Sequence, residues 1–344
     1  MPKPSLGAFV SIGVVVAGVV AAFAWTAGWL TPRRLDAEKF LTALSPPGGP
    51  ALGYRRNHAK GICFTGEFVA NGAGAALSKA RVFTPGRYPL IGRFNLGSPD
   101  PHEPDAMARV RGVGIRITTP DGREWRSAMI DLPFFPVGTP QAFYQLLTLS
   151  SNKDPNAAAA FAAANPSFGA FGKWAKDAPW TESYAQERYN SINSFVFVDA
   201  QGKKRAVRWA YLPAVPPAPV SAADLGKKDP DFLDADLQQR VAAGPLSFPL
   251  VVTVAGPEDV TADPSTPWPP ERQTLNVGTM LVQQVQAERD GVCRDVVFDP
   301  TILPEGIEIS DDPFPSARSA VYARSFDRRT GEAADYPHTS EKSP

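Results

Sequence analysis

At 344 residues, 43% hydrophobic and 20% charged, the chain has room for one large domain or two ordinary ones, and for a core able to enclose a cofactor. Its 35 basic residues balance 35 acidic ones, which excludes the broad basic field of a nucleic-acid binder. The 36 prolines argue against a helical bundle, and two cysteines, Cys63 and Cys293, match no metal-ligand spacing and read as two partly buried, unpaired thiols.

No charged residue occurs from Leu6 to Leu30. A helix rising about 1.5 Å per residue over such a run crosses a hydrocarbon core of roughly 30 Å. Lys3 precedes the run and Arg33 and Arg34 follow it, so charge gives no clean orientation. Ala22-Phe23-Ala24 resembles a small-residue cleavage site, but the run is longer than a signal-peptide apolar region. We expect an uncleaved, single-span anchor over residues 1–34, a folded unit over 35–330, and a polar, disordered tail over 331–344.

A short helix is predicted over Leu35–Leu44, and "SPPGGPALG" reads as a loop. "RRNHAKGICFTGEF" (Arg55–Phe68) then puts one of the three histidines just ahead of an alternating, strand-like stretch. "GVGIRITTPDGREWRSAMI" has two β-rich runs about Pro120-Asp121-Gly122, and "NSFVFVDAQGKKRAVRWAYL" repeats that hairpin design about Asp199–Gly202. "LSFPLVVTVAG" and "NVGTMLVQQV" are two further strands. Helices are predicted over Pro140–Leu149, Asn156–Ala164, Asp231–Ala243 and Phe314–Arg329, and "LPAVPPAPVS" is a stiff connection. No internal repeat is present. A hairpin-rich antiparallel sheet with interspersed helices, closed or nearly so, is the economical fold.

Few residues stand out chemically. His58 leads a strand, whereas His102 and His338 lie in polar, loop-like settings. Arg318 and Tyr322 are four apart, so a helix puts both on one face. HExxH, CxxC, a glycine-rich phosphate loop and a GxSxG elbow are all lacking. Taken alone, these residues describe an antiparallel β domain with one interesting histidine.

The motifs together say more. "RRNHAKGICFTGEF" resembles the distal segment of the haem catalases, whose Arg-x-x-His-Ala-Lys-Gly run leads into the first barrel strand. "GRFNLG", "ARVRGVGIRITTPDGREW" and "LPFFPVGTPQAF" resemble the next strand, the following hairpin and the Phe-rich segment above the haem. "FDPTILPEGIEISDDPFPSARSAVYARSFDRR" resembles the proximal segment, with its Arg-x-x-x-Tyr ligand motif. The likeness runs in order over roughly residues 35–330. With no counterpart of the long N-terminal arm or C-terminal domain of large catalases, the chain most resembles the short, exported catalase-related peroxidases.

This resemblance implies an α+β fold with a haem-catalase antiparallel β-barrel and surrounding helices, preceded by the one N-terminal transmembrane helix expected from the uncharged run. It implies haem, of the b type, with Tyr322 as the iron ligand and Arg318 as the cation beside the phenolate, because a free phenol ionises only near about pH 10. His58 would be the proton acceptor and donor, Arg55, Arg93 and Arg329 would hold the propionates, and Phe134 and Phe143 would line the apolar distal side. Two departures matter. Met129 stands where large catalases carry a distal asparagine, and Asn95 stands at the small residue that supports the distal histidine. Without the amide, a second peroxide is poorly oriented, so we expect a peroxidase using hydrogen peroxide and an organic electron donor, with weak dioxygen release. The alternatives are a minimal true catalase, an isomerase or lyase of fatty hydroperoxides, and a non-catalytic haem- or lipid-binding barrel. A monomer or dimer at the membrane, with its haem domain in the periplasm, completes the expectation.

Overall fold

The computed structural model describes residues 6–26, 35–46, 48–332 and 334. Each apolar run forms a strand because alternation puts every second side chain on one face. β1 (Gly61–Ala70) buries Ile62, Phe64, Phe68 and Ala70 on that face. The strands β2 (Gly86–Leu96), β3 (Arg111–Thr118) and β4 (Glu124–Ile130) follow. Next come β5 (Tyr189–Asn190), β6 (Phe195–Val198), β7 (Lys204–Tyr211), β8 (Leu246–Val254), β9 (Thr274–Ala287) and β10 (Ile307–Ile309).

All pairings between these strands are antiparallel. In the order β7-β5-β4-β3-β2-β1-β9-β8, the last strand pairs back onto the first and closes an 8-stranded barrel. β6 and β10 extend the wall beyond β7. Both predicted hairpins form, and their turns contain left-handed glycines, Gly122 (φ 76°) and Gly202 (φ 81°). The core is rich in aromatic rings: Phe94 packs with Phe64, Tyr184, Tyr189 and Phe248, and Trp125 meets Trp209 at 5.2 Å. Rings in such numbers make a filled core rather than a pore.

The helices are α1 (Leu6–Thr26), α2 (Ala37–Leu44), α3 (Pro140–Thr148), α4 (Ala157–Ala164), α5 (Pro166–Asp177), α6 (Ala222–Leu225), α7 (Phe232–Ala243) and α8 (Phe314–Gly331). Asp36 caps α2 by accepting from the Lys39 amide, and Thr139 caps α3 at Ala142. α5 was not expected. Gly169 and Gly172 lower its helical propensity, and its start is marked only by Pro166.

Three expectations need correction. The cysteines are not free thiols: Cys63 and Cys293, 230 positions apart, form a disulfide with a Cα–Cα distance of 5.4 Å. Antiparallel closure brings the segment after β9 back beside β1, a proximity that sequence spacing does not reveal. The uncharged N-terminal run does form α1, with Phe9, Val10, Ile12 and Val19 exposed. Residues 27–30 of the expected span lie outside the described residues, as do Lys3, Arg33 and Arg34. Among the described residues no helix is long and apolar enough to cross a membrane, so the fold does not support the span expected over 6–30. Finally, the tail does not become structureless at 331. Glu332 accepts hydrogen bonds from the buried Arg56 guanidinium and, at 3.0 Å, from the Gly53 amide. His338 and most of the remaining tail lie outside the described residues.

Candidate functional site

A cavity of about 250 Å³ is bounded by the barrel strands β2, β3 and β4 and by the helices α2, α3 and α8. His58, Arg55, Arg93, Arg318, Tyr322, Arg329 and Phe143 all line it. Phe134 does not; the half-buried Phe135 beside it does, packing on Phe143 and Phe314 at 5.1 Å each. The two phenylalanines sit in a loop, where no periodicity says which of them faces inward.

His58 is both a turn residue and a cavity residue. Its backbone is left-handed (φ 53°), a region that non-glycine residues enter rarely, though histidine more than most. The Asn57 side chain accepts from the His58 amide at 2.9 Å. Just beyond, Lys60 is tied to Asp105 at 2.7 Å and to the carbonyls of Glu103 and Pro230 at 3.0 Å each. The turn is therefore clamped on both sides of the imidazole.

The ring is oriented by Asn95, whose Oδ1 lies 2.6 Å from His58 Nδ1. Asn95 Nδ2 donates to the Arg93 carbonyl at 3.3 Å, which fixes the amide's orientation. Nδ1 therefore carries the proton, and Nε2 keeps a lone pair. A Cβ on Gly112 would fall 2.6 Å from Asn95 Oδ1, so a side chain there would displace the supporting amide. Burial lowers the His58 pKa to about 4, and Arg93, Arg318 and Arg55 add to the effect against the Asn95 hydrogen bond. The imidazole is neutral at pH 7 and free to accept a proton.

On α8, the four-residue spacing does bring Arg318 and Tyr322 together. Arg318 Nη2 donates to Tyr322 Oη at 2.9 Å and to the Ala128 carbonyl at 3.0 Å. Arg318 Nη1 donates to Asn193 Oδ1 at 2.9 Å, and Asn193 Nδ2 donates to buried Asp312 at 2.9 Å. The guanidinium is thus locked against the phenol oxygen, an oxygen donor of the kind a hard metal ion takes up.

The other three arginines converge from distant parts of the chain. Arg55 Nε and Arg93 Nη2 both donate to Glu288, at 3.1 and 2.6 Å, and Arg329 Nη1 donates to Asp295 at 3.2 Å. Burial alone would raise the Glu288 carboxyl, but Arg93 and Arg55 outweigh it and hold the group below its ordinary value. Burial lowers the Arg55 guanidinium to about 10, still charged at neutrality. Arg93 Nε and Arg329 Nη2 are buried without a hydrogen-bond partner, so the cluster keeps donors for an incoming anion. A phenol with its arginine, a neutral histidine, apolar walls and cations with spare donors fit a haem with its two carboxylates. Asn193, Glu288 and Asp295 were not singled out from sequence; each acts through a contact with a residue at least 34 positions away.

The catalase family model matches residues 52–336. A catalase-related peroxidase of Synechococcus elongatus is 29% identical over 93% of this chain and 96% of its own length. A catalase-related peroxidase of Mycolicibacterium paratuberculosis is 34% identical over 88% of this chain and 96% of its own length. Among solved structures, a fungal catalase superposes with a TM-score of 0.70 at 19% identity, covering 81% of this chain and 59% of that one.

Proposed function

Because this chain belongs to the catalase family and is an oxidoreductase acting on peroxide, we propose that it is a haem-dependent peroxidase. It reduces hydrogen peroxide or organic hydroperoxides with an organic electron donor and releases little dioxygen. The observation that carries this reading is that one cavity unites a neutral, oriented His58 with the Arg318–Tyr322 pair. Haem b, held at its iron by Tyr322, supplies the redox centre in this reading.

The chain's own residues do the rest. Arg318 holds the Tyr322 oxygen in place through its 2.9 Å hydrogen bond and would place its positive charge beside an iron-bound phenol oxygen. Arg55, Arg93 and Arg329 take the two carboxylates of the macrocycle. His58 Nε2 accepts the proton of an entering peroxide and returns it to the departing oxygen, which leaves as water or an alcohol. Asn95 keeps Nδ1 protonated, so that Nε2 remains the accepting atom. Phe135 and Phe143 give the cavity an apolar face. Met129, buried on β4 at the cavity wall, has no side-chain N–H with which to orient a second peroxide. Single-peroxide turnover with an external donor is the consequence.

The disulfide supports placing this chemistry in an oxidising compartment. We extend the reading to an exported haem domain that works in such a compartment. Purified protein loaded with haem, beside His58→Ala and Tyr322→Phe variants, tests the whole. Peroxide should be consumed only with a phenolic donor present, His58→Ala should lose that turnover, and Tyr322→Phe should alter or abolish the Soret band. Donor-independent dioxygen release at half the rate of peroxide loss would identify a true catalase instead.

A further inference from the structure

We propose that the segment 288–296, stapled to β1 by the Cys63–Cys293 disulfide, is the positioning element for the arginine cluster. Through it the site discriminates a macrocycle with free carboxylates from one without them. The inference rests on the haem reading above.

All three arginines are held by this one segment. Arg55 Nε donates to Glu288 Oε1 at 3.1 Å, and its Nη2 donates to the carbonyls of Cys293, Arg294 and Val296 at 3.0, 3.0 and 3.1 Å. Arg93 Nη2 reaches the other Glu288 oxygen at 2.6 Å, and Arg329 Nη1 reaches Asp295 at 3.2 Å. An arginine at a cavity edge otherwise samples many rotamers, and two-point recognition of a carboxylate requires the guanidinium plane to be fixed beforehand. Here acceptors on the segment occupy one set of donors, while Arg93 Nε and Arg329 Nη2 are left over.

The segment has little regular structure of its own. It contains a single 3₁₀ turn, Glu288–Asp290, and no strand pairing. The disulfide seats it, and the Cys293 amide donates to Cys63 Sγ at 3.3 Å. Cys63 lies directly across the β1–β2 ladder from Arg93, so the staple fastens the segment to the strands that carry part of the cluster. Gly291 completes the seat, since a Cβ there would overlap Cys63 Sγ. Both cysteines are fully buried and pack with the buried Val296 and Phe298. The crosslink is therefore a fixed structural tie, shielded from solvent reductants.

The test is a titration of the full-length apoprotein with ferric protoporphyrin IX and with its dimethyl ester, following the Soret band. The wild type should prefer the free acid. In Cys63→Ser/Cys293→Ser and in Gly291→Ala, that preference should shrink by roughly tenfold, about 1.4 kcal/mol. Affinity for the ester, which needs only Tyr322 and the apolar walls, should change by less than about threefold, roughly 0.7 kcal/mol. An unchanged preference overturns the proposal, and so does an equal loss of affinity for both macrocycles, which is what general loosening of the fold produces. If the double cysteine variant does not fold, Gly291→Ala, which keeps the crosslink but shifts the segment, decides alone. Binding of neither macrocycle by the wild type sinks the haem reading, and this inference with it.

Discussion

Keeping His58 neutral inside the protein makes the fold sensitive to acid in a calculable way. Its pKa falls from 6.5 in the free side chain to about 4 in the folded chain, chiefly through burial. Between those values the unfolded chain binds a proton at this position and the folded chain does not. This contribution to stability is complete above pH 6.5, declines as the pH falls through the interval, and levels off below about 4. At 1.36 kcal/mol per pH unit, the interval corresponds to about 3 kcal/mol. A His58→Gln variant takes up no proton there. The wild-type advantage in unfolding free energy should therefore shrink by about 3 kcal/mol between roughly pH 7 and pH 4. Urea titrations of the two proteins measure it, and the carboxylates common to both cancel in the difference. The kinetic counterpart is a peroxide reaction that holds its rate down to about pH 5 and is halved near the folded-state pKa. A flat difference in stability, or a kinetic midpoint near 6.5, would refute the argument that burial keeps this imidazole neutral.

Three further outcomes follow from particular contacts. Asn95→Leu removes the acceptor that fixes the His58 tautomer, and stopped-flow mixing with peroxide should show a loss of roughly 10²-fold with the Soret band unchanged. Met129→Asn restores an amide to the cavity; oxygen-electrode and donor-oxidation assays should show the ratio of dioxygen release to donor turnover rising about tenfold, with about 1–3 kcal/mol of stability lost to a buried polar group. Glu332→Gln weakens the ion pair of an arginine that is only 4% exposed, and thermal unfolding should report a loss of about 1–3 kcal/mol. A variant as stable as the wild type would mean that Arg56 finds its counter-charge elsewhere.

What the sequence discloses and what it hides divide along range. The hairpins about Gly122 and Gly202 and the one-turn spacing of Arg318 and Tyr322 are local, and each forms as its residues dictate. His58 and the cavity arginines were legible because their motifs resemble a known family in order. Contacts that depend on barrel closure were not. Cys63 and Cys293 are 230 positions apart and look like unrelated thiols until β9 lies beside β1. Glu288 reads as one more charge at a strand end, although it is the carboxylate shared by Arg55 and Arg93. The choice of Phe135 over Phe134 was lost for the opposite reason, since a loop has no period to assign a face.

These two classes of residue also divide the chemistry. His58, Arg318 and Tyr322 are specified by local motifs and are what the proposed peroxide cleavage uses. In the proposed reading, the choice between donor oxidation and disproportionation turns on one wall position, Met129, which lies opposite Val113 in the β3–β4 ladder and is 2% exposed. A thioether there keeps the wall packed and apolar but supplies no donor. The amides of Asn95 and Asn193 cannot stand in for one, because each already bonds on both of its ends: Asn95 to His58 and the Arg93 carbonyl, Asn193 to Arg318 and Asp312. The two asparagine amides at the cavity are thus taken up in holding the proton acceptor and the tyrosine's arginine, which is why the proposed peroxidase reading turns on Met129.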